Sequence, residues 1–472
     1  MPKRNLLLLS LITAISLLAW LARDHARQGR QVGEVVAAIE RAYLEPVDPD
    51  ALAAAALDGV LAKLDEHSAL VDGAARRELE ATLDQEFAGV GLELVASPDG
   101  IVVHSPVAGG PAWRAGVRAG DVIVAIDGVD ARRLTVRDAV SILRGDAGSA
   151  IAIGVRRPPV AGGIDGAEAA ADVRTLSLTR ELVRTDSVLG DRRRPDGTWE
   201  WLVEGEPGLA LVRITSFGDR TAAELDAALD AIAAMPGLRG LVLDLRGNPG
   251  GLLTAAVDVC DRFLDDGVIV ATRRRGADDG LIVEPRRATP GRALAGVPMA
   301  VLIDGLTASA AEIVAACLQD HGRAVVVGSR SFGKGTVQSI LPLSDGRRLL
   351  KLTTAEYLRP SEAESGRRGG GAAWGVSPDA GRAIDVTGQT LAALQAWRRL
   401  RDAVPPAGQE QAAREAGSAG ELPRHVDPVL AAALQALVSP EAHLRREEET
   451  ARDAHEAVPA GKAAAAGEGL GG

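Results

Sequence analysis

The stretch PMAVLIDGLTASAAEIVAACLQDHGRAVVVG, Pro298–Gly328, decides the fold. It opens with a short run that is apolar at almost every position, turns through polar residues, continues with apolar residues at helical spacing, and ends in a second apolar run. A strand without a polar face has nothing to offer water, so it belongs in a sheet covered on both sides. The same alternation appears upstream as LALVRITSF (Leu209–Phe217), a helix TAAELDAALDAIAAM, GLVLDLR (Gly240–Arg246), the turn GNPGG, a helix from Leu252 and the strand VIVAT. Apolar strands separated by helices imply an α/β layer, assigned here to residues 187–386.

Outward from this core the pattern changes. Between Phe87 and about Pro158 the apolar residues recur with period two, in GVGLELV, GIVVHSPV, GDVIVAIDG and SAIAIGVRR, with one helix near TVRDAVSILRG. That is a small β-rich domain over 86–158. Residues 31–85 are amphipathic and helical, as in VDPDALAAAALDGVLAKLDEHSALV, and form an N-terminal helical module. The segment PPVAGGIDGAEAAAD begins a linker assigned to 159–186. Asp345-Gly346, in SILPLSDGRRLLKLTTAEYL, marks a hairpin turn between apolar runs. A helical region is expected over 387–445, and the tail 446–472, ending VPAGKAAAAGEGLGG, lacks the apolar side chains that would offset its ordering entropy.

The chain has 472 residues, of which 46% are hydrophobic but only 3% aromatic, so the cores rest on Leu, Val, Ile and Ala. A formal charge of -11 opposes any role in gripping a nucleic-acid backbone, which needs clustered Lys and Arg. At the N-terminus Lys3 and Arg4 precede an uncharged apolar run from Leu6 to Ala22. As a helix that run is roughly 26 Å long, near the thickness of a bilayer core. Residues 1–30 therefore read as an export signal, with an inner-membrane anchor favoured over a cleaved signal peptide because no small-x-small site closes the run. The expected location is the cell envelope or periplasm. Cys260 and Cys317 fall in apolar helical patterns and are expected as buried free thiols, with neither a disulfide framework nor a zinc site.

Three pieces bear on chemistry. Ser309 stands directly before an apolar helix, Lys334 follows the next strand in GSRSFGKGTVQ, and DLRGNPGG carries glycines that leave backbone N–H groups bare. The spacing around Lys334 is one residue short of a phosphate-binding loop, because Gly335 offers no hydroxyl to a metal ion. A serine needs a base to become a nucleophile. His321 sits twelve residues along the same helix, roughly 18 Å away at 1.5 Å per residue, and cannot serve. Lys334 could serve if burial lowers its pKa, and Gln338 could hold its amine without adding charge. The same residues fit plainer readings as readily: Ser309-Ala-Ala-Glu312 is also a capping box, Lys334 a solvated loop lysine, and GNPGG a simple turn.

Together these motifs resemble the C-terminal processing peptidases, or tail-specific proteases. Ser309, the lysine 25 positions on in SFGKGTVQ, DLRGNPGG, LDEHS, FAGVGLEL, PAWRAGVRAGDVIVAIDG and WGVSPD all match the family pattern, over about Val32 to Asp379. The resemblance implies a crotonase/ClpP-like α/β core with an inserted PDZ domain. It implies a serine endopeptidase with Ser309 as nucleophile, Lys334 as general base, Gln338 as its holder, and the backbone N–H groups of Gly251 and Ala310 as oxyanion donors, without metal or cofactor. The loop Gly89, Val90, Gly91, Leu92 fits the PDZ carboxylate loop, which makes protein tails with apolar C-termini the expected partners. Arg156 or Arg157, at the exit of that domain, is a candidate for coupling tail binding to the active site.

There are departures. Glu66 replaces the proline of the family's Leu-Asp-Pro-His-Ser, Ala311 replaces its second serine, and Ser361–Ala373 lengthens a compact segment. An alternative of a different class is a silent scaffold that binds tails through PDZ. The sequence leaves the substrate, a second copy and an accessory activator open.

Overall fold

A computed structural model describes residues 27–157, 173–291, 293–361, 375–404 and 427–438. The apolar run 6–22, residues 159–172 of the linker, residues 362–373 of the lengthened segment and the tail 446–472 lie outside these residues. Among the described residues no helix is long and apolar enough to cross a membrane. The chain divides into two compact units, Met1–Arg76 with Gln338–Thr353, and Arg77–Val337 with Thr354–Gly472.

The first unit contains helices α1 (Arg27–Ala42) and α2 (Pro49–Leu61). Asp48 caps α2 by accepting the Asp50 N–H at 3.0 Å, and Pro49 occupies the first turn, where its missing N–H costs nothing. Strand β1 (Ala69–Val71) pairs antiparallel with residues 349–351. The hairpin expected at Asp345-Gly346 is present: the Leu343 N–H reaches the Arg348 carbonyl, and the Asp345 carboxylate accepts the N–H groups of Arg347 and Arg348.

The second unit begins with α3 (Gly73–Asp84), which enters from the first, and contains both the β-rich domain and the α/β core. The β-rich domain comprises β2 (Glu86–Gly89), β3 (Leu92–Ser97), β4 (Gly100–Pro106), α4 (Pro111–Arg114), β5 (Val122–Ile126), α5 (Val136–Leu143), β6 (Ala150–Arg156) and β7 (Val173–Thr179). Its main sheet runs β3-β4-β5-β6-β7, leaving β3 at the edge. The assignment of 159–186 as linker is corrected here. Val173–Thr179 pairs with β6 along its whole length, and β8 (Glu181–Arg184) pairs with β2. Leu176 and Leu178 turn inward against the domain's core while the alternating Thr175, Ser177 and Thr179 are polar and exposed, which is the alternation of a half-buried strand.

The core sheet runs β9 (Val188–Leu189), β10 (Leu209–Ile214), β11 (Gly240–Asp244), β14 (Met299–Ile303) and β15 (Val325–Gly328). Apart from β9, neighbouring strands are parallel, and every residue of β10, β11, β14 and β15 is buried. Between them run α6 (Thr221–Ala233), α7 (Leu253–Asp261), an antiparallel pair β12 (Val268–Arg275) and β13 (Leu281–Arg287), and α8 (Ala310–Asp320). The chain always steps in one direction across the sheet, and right-handed crossovers then place all three helices on one face. Ala210, Val212, Leu241, Leu243, Val301 and Val326 point to that face.

The opposite face presents Leu209, Leu211, Val242, Leu302 and Val327 and needs a separate cover. Following β16 (Leu349–Leu358) and α9 (Gly388–Asp402), α10 (Pro428–Val438) supplies it with Leu430, Leu434 and Leu437. At about 25 cal/mol per Å² of apolar surface removed from water, a helix face of three leucines contributes several kcal/mol.

Candidate active site

Three segments leave the carboxyl ends of adjacent parallel strands: Leu245–Gly251 after β11, Asp304–Ser309 after β14 and Ser329–Gly335 after β15. Crevices form at such strand ends in open α/β sheets. Buried bonds stitch the first two segments together. The Thr307 hydroxyl donates to the Leu245 carbonyl at 2.9 Å, and the Ala308 N–H to the Asn248 carbonyl at 2.9 Å. Asn248 also folds its own turn, donating through Nδ2 to the Ile214 carbonyl and accepting the Gly250 N–H, each at 2.8 Å.

Ser309 is 6% exposed and holds φ 57° and ψ -118°. A non-glycine residue in that region is strained, and such strain is characteristic of nucleophiles set on a sharp strand-to-helix turn. What fixes it is Glu312, 2% exposed, one turn into α8. Its Oε2 accepts the Ser309 N–H at 2.8 Å and the Lys334 N–H at 2.8 Å. Its Oε1 accepts the Ser331 hydroxyl at 2.5 Å and the Gly333 N–H at 2.6 Å. One carboxyl thus ties the backbones of Ser309 and Lys334 together. Burial pushes its pKa up, while the four bonds pull it down; burial dominates.

Tyr357, on β16 and 5% exposed, donates its N–H to the Gly335 carbonyl at 2.8 Å, and its phenol interacts with the Ser309 side chain. Burial pushes its phenol up to about 12, against the opposing pull of the Ser309 bond, so it stays protonated across the working range. Lys334 is half-buried between two buried glycines. His321 caps the far end of α8 and turns its Nε2 to the Val268 carbonyl at 2.8 Å, away from the site.

The turn GNPGG approaches Ser309 as closely as backbone permits. A Cβ on Gly250 would lie 2.8 Å from Cβ of Ser309 and 3.0 Å from the Ala310 nitrogen, and one on Gly251 would lie 2.0 Å from the Phe217 carbonyl oxygen. Gly250 and Gly251 also hold φ of 100° and 146°. Only glycine fits either position. Ala310 opens α8, so its N–H has no carbonyl one turn earlier within the helix.

Gln338 belongs to the first unit, where its Nε2 donates to the Thr353 hydroxyl at 3.2 Å. That hydroxyl donates to Asp65 Oδ1 at 3.0 Å, and the Thr353 N–H donates to the Ser68 hydroxyl at 3.1 Å. The LDEHS motif therefore builds a polar network that ends on Gln338. Burial would raise the Asp65 carboxyl, but its bonds from Thr353, His67 and Ser68 prevail and lower it.

In the β-rich domain, Val90, Gly91 and Leu92 of the stretch Gly89–Leu92 line a cavity of about 330 Å³ between β3 and α5, together with Phe87, Leu94, Val140 and Leu143 among others. Arg157 grips the buried Asp121 with two bonds of 2.8 Å and donates to the Gly116 carbonyl at 3.0 Å, all within that domain. Arg156 ends β6, between Val122 and Val173. Cys260 and Cys317 are buried free thiols.

Sequence reasoning missed Tyr357, one of only two tyrosines in the chain, and saw Glu312 only as a cap partner. Three of the four donors to Glu312 lie 19 to 22 residues further on, beyond any local pattern.

Residues 208–381 match the model for Peptidase family S41, and 102–157 match a PDZ domain. A carboxy-terminal-processing protease of Bartonella bacilliformis is 36% identical over 338 residues, 71% of this chain and 72% of its own. A chloroplastic C-terminal processing peptidase of Tetradesmus obliquus is 32% identical, over 76% of this chain and 75% of its own. The solved structure of a photosystem II D1 C-terminal processing protease aligns with 79% of this chain and 98% of its own, at 30% identity and a TM-score of 0.42. This chain belongs to peptidase family S41: it is a C-terminal-processing serine protease with a PDZ domain.

Proposed function

We propose that the chain is an exported endopeptidase in which Ser309 is the nucleophile and Lys334 the general base. The observation that carries the reading is the pair of N–H bonds from Ser309 and Lys334 to one oxygen of Glu312. In the reaction, neutral Lys334 takes the proton of Ser309 Oγ as that oxygen attacks the peptide carbonyl. The carbonyl oxygen becomes negative and is held by the N–H groups of Gly251 and Ala310, aided by the field at the N-terminus of α8. Lys334 passes its proton to the leaving amine. It then takes a proton from water as that water attacks the acyl-enzyme, and returns the proton to Ser309 Oγ as the bond from that oxygen to the acyl carbon breaks.

The substrate tail docks with its terminal carboxylate at Gly89–Leu92 and adds as a strand to the free edge of β3, its apolar side chains entering the cavity against α5. Residues 1–30 direct the chain across the inner membrane and anchor it there.

The test is cleavage of an unfolded protein with an apolar free C-terminus by residues 31–472, beside Ser309→Ala and Lys334→Ala. Both variants are expected to lose turnover while still binding the tail. A Ser309→Ala form that cleaves at the wild-type rate would overturn the reading.

A further inference from the structure

The family match ends at residue 381, yet the catalytic turn is held by a residue beyond it. Arg246, in DLRGNPGG, donates through Nε and Nη2 to Asp244 at 2.9 and 2.6 Å. It donates through Nη1 and Nη2 to the two carboxylate oxygens of Asp427 at 2.9 and 3.0 Å. Asp427 is 1% exposed and stands at the head of α10, where it also accepts the Leu430 N–H at 3.0 Å. From α9, the Arg398 guanidinium approaches the same carboxylate at 3.7 Å. Arg246 is thus clamped between the strand that ends in the turn and the helix that covers the sheet's second face.

The consequence lies four and five residues on, at Gly250 and Gly251. The backbone after Arg246 must thread between the Ser309 loop and Phe217 with no room for a Cβ. A guanidinium held by two bidentate carboxylates has one orientation, so it fixes where that backbone begins. We propose that Asp427 is a positioning residue for catalysis, setting through Arg246 the turn that supplies the Gly251 N–H. This rests on the reading of Gly251 as an oxyanion donor.

Asp427→Asn is the test, since it removes the charge but keeps an oxygen to cap α10. A misplaced oxyanion donor costs about 10- to 100-fold in rate. The expected result is a fall in kcat of that size for a tailed peptide, KM within about 2-fold, unchanged tail affinity at PDZ, and faster hydrogen exchange across residues 247–251. Asp427→Glu, which retains the charge, should recover part of the loss. Wild-type kcat and wild-type exchange in Asp427→Asn, with only a lower melting temperature, would overturn the proposal and leave α10 as a cover alone. If Asp427→Asn does not fold, Asp427→Glu decides: reduced kcat at constant KM supports the role, and an unchanged kcat overturns it. Wild-type cleavage that survives Ser309→Ala would instead overturn the nucleophile, while exchange over 247–251 still reads the clamp directly.

Discussion

Glu312 concentrates four donors on two oxygens, so its chemistry is unforgiving. Glu312→Gln keeps the volume but turns one acceptor into a donor that faces N–H or O–H groups already pointing inward. Each buried donor left unpaired costs about 1–3 kcal/mol. The variant is expected to lose at least about 100-fold in kcat and to unfold at lower temperature, measured by peptide cleavage and by thermal melting; wild-type kcat would mean that Ser309 and Lys334 are aligned by other contacts. Tyr357 makes a gentler case. Tyr357→Phe preserves the buried ring and removes only the hydroxyl that meets Ser309. A fall in kcat of about 10-fold at constant KM is expected, from a hydrogen bond of about 1–1.5 kcal/mol. An unchanged rate constant would show the bond to be incidental to turnover.

At the scale of elements, acid should act through the join between the turn and α10. Burial alone would raise the Asp427 carboxyl, but the charge and bonds of Arg246, with Arg398, outweigh it and hold the pKa at about 2 against an ordinary 3.8. Because the folded value is depressed, the stabilisation is complete above the unfolded value and is lost as pH falls through 3.8 towards about 2. Its size is about 2 kcal/mol, so between pH 5 and pH 2.5 the wild-type melting temperature should drop more than that of Asp427→Asn. Parallel curves for the two proteins would place the acid sensitivity elsewhere. This contact also marks where the sequence stops being legible. The all-apolar strands announced a sheet covered on both faces, and GVGLELV and GIVVHSPV announced strands of the β-rich domain, because period and turn residues are local. The pairing of Asp427 with Arg246 spans 181 residues and has no local signature. Strand β7 was obscured differently: the Pro- and Gly-rich stretch before it suggested a finished domain, although Leu176 and Leu178 already alternate with polar residues.

Across the molecule, the cavity between β3 and α5 and the peptidase core share one compact unit, and the connection between them is short. Gly89, which ends β2, pairs with Glu181 on β8. From there the chain soon reaches Ser187, whose N–H and hydroxyl both donate to Glu224 of α6 at 2.8 and 2.9 Å, and Val188 joins the core sheet opposite Ile214. A second link runs from the Val404 N–H, just past α9, to the Ser105 hydroxyl on β4 at 3.1 Å. The cavity is therefore fastened to the core on two sides, and the proposed tail capture need only raise the local concentration of substrate near Ser309 to matter. Val140 tests this, since it lines the groove from α5 and is half-buried there. Val140→Arg puts a charge where an apolar tail residue would sit without disturbing the domain's core. For a substrate with a free apolar C-terminus, KM should rise at least about 10-fold, the loss of one well-buried aliphatic contact plus the desolvation of a charge. For the same substrate with an amidated end, which the loop cannot hold, KM should already be high and the substitution should change little. Equal KM values for free and amidated tails in the wild-type protein would mean that the groove does not select substrate. An equal rise for both substrates in the variant would mean that Val140 acts through the core rather than through the tail.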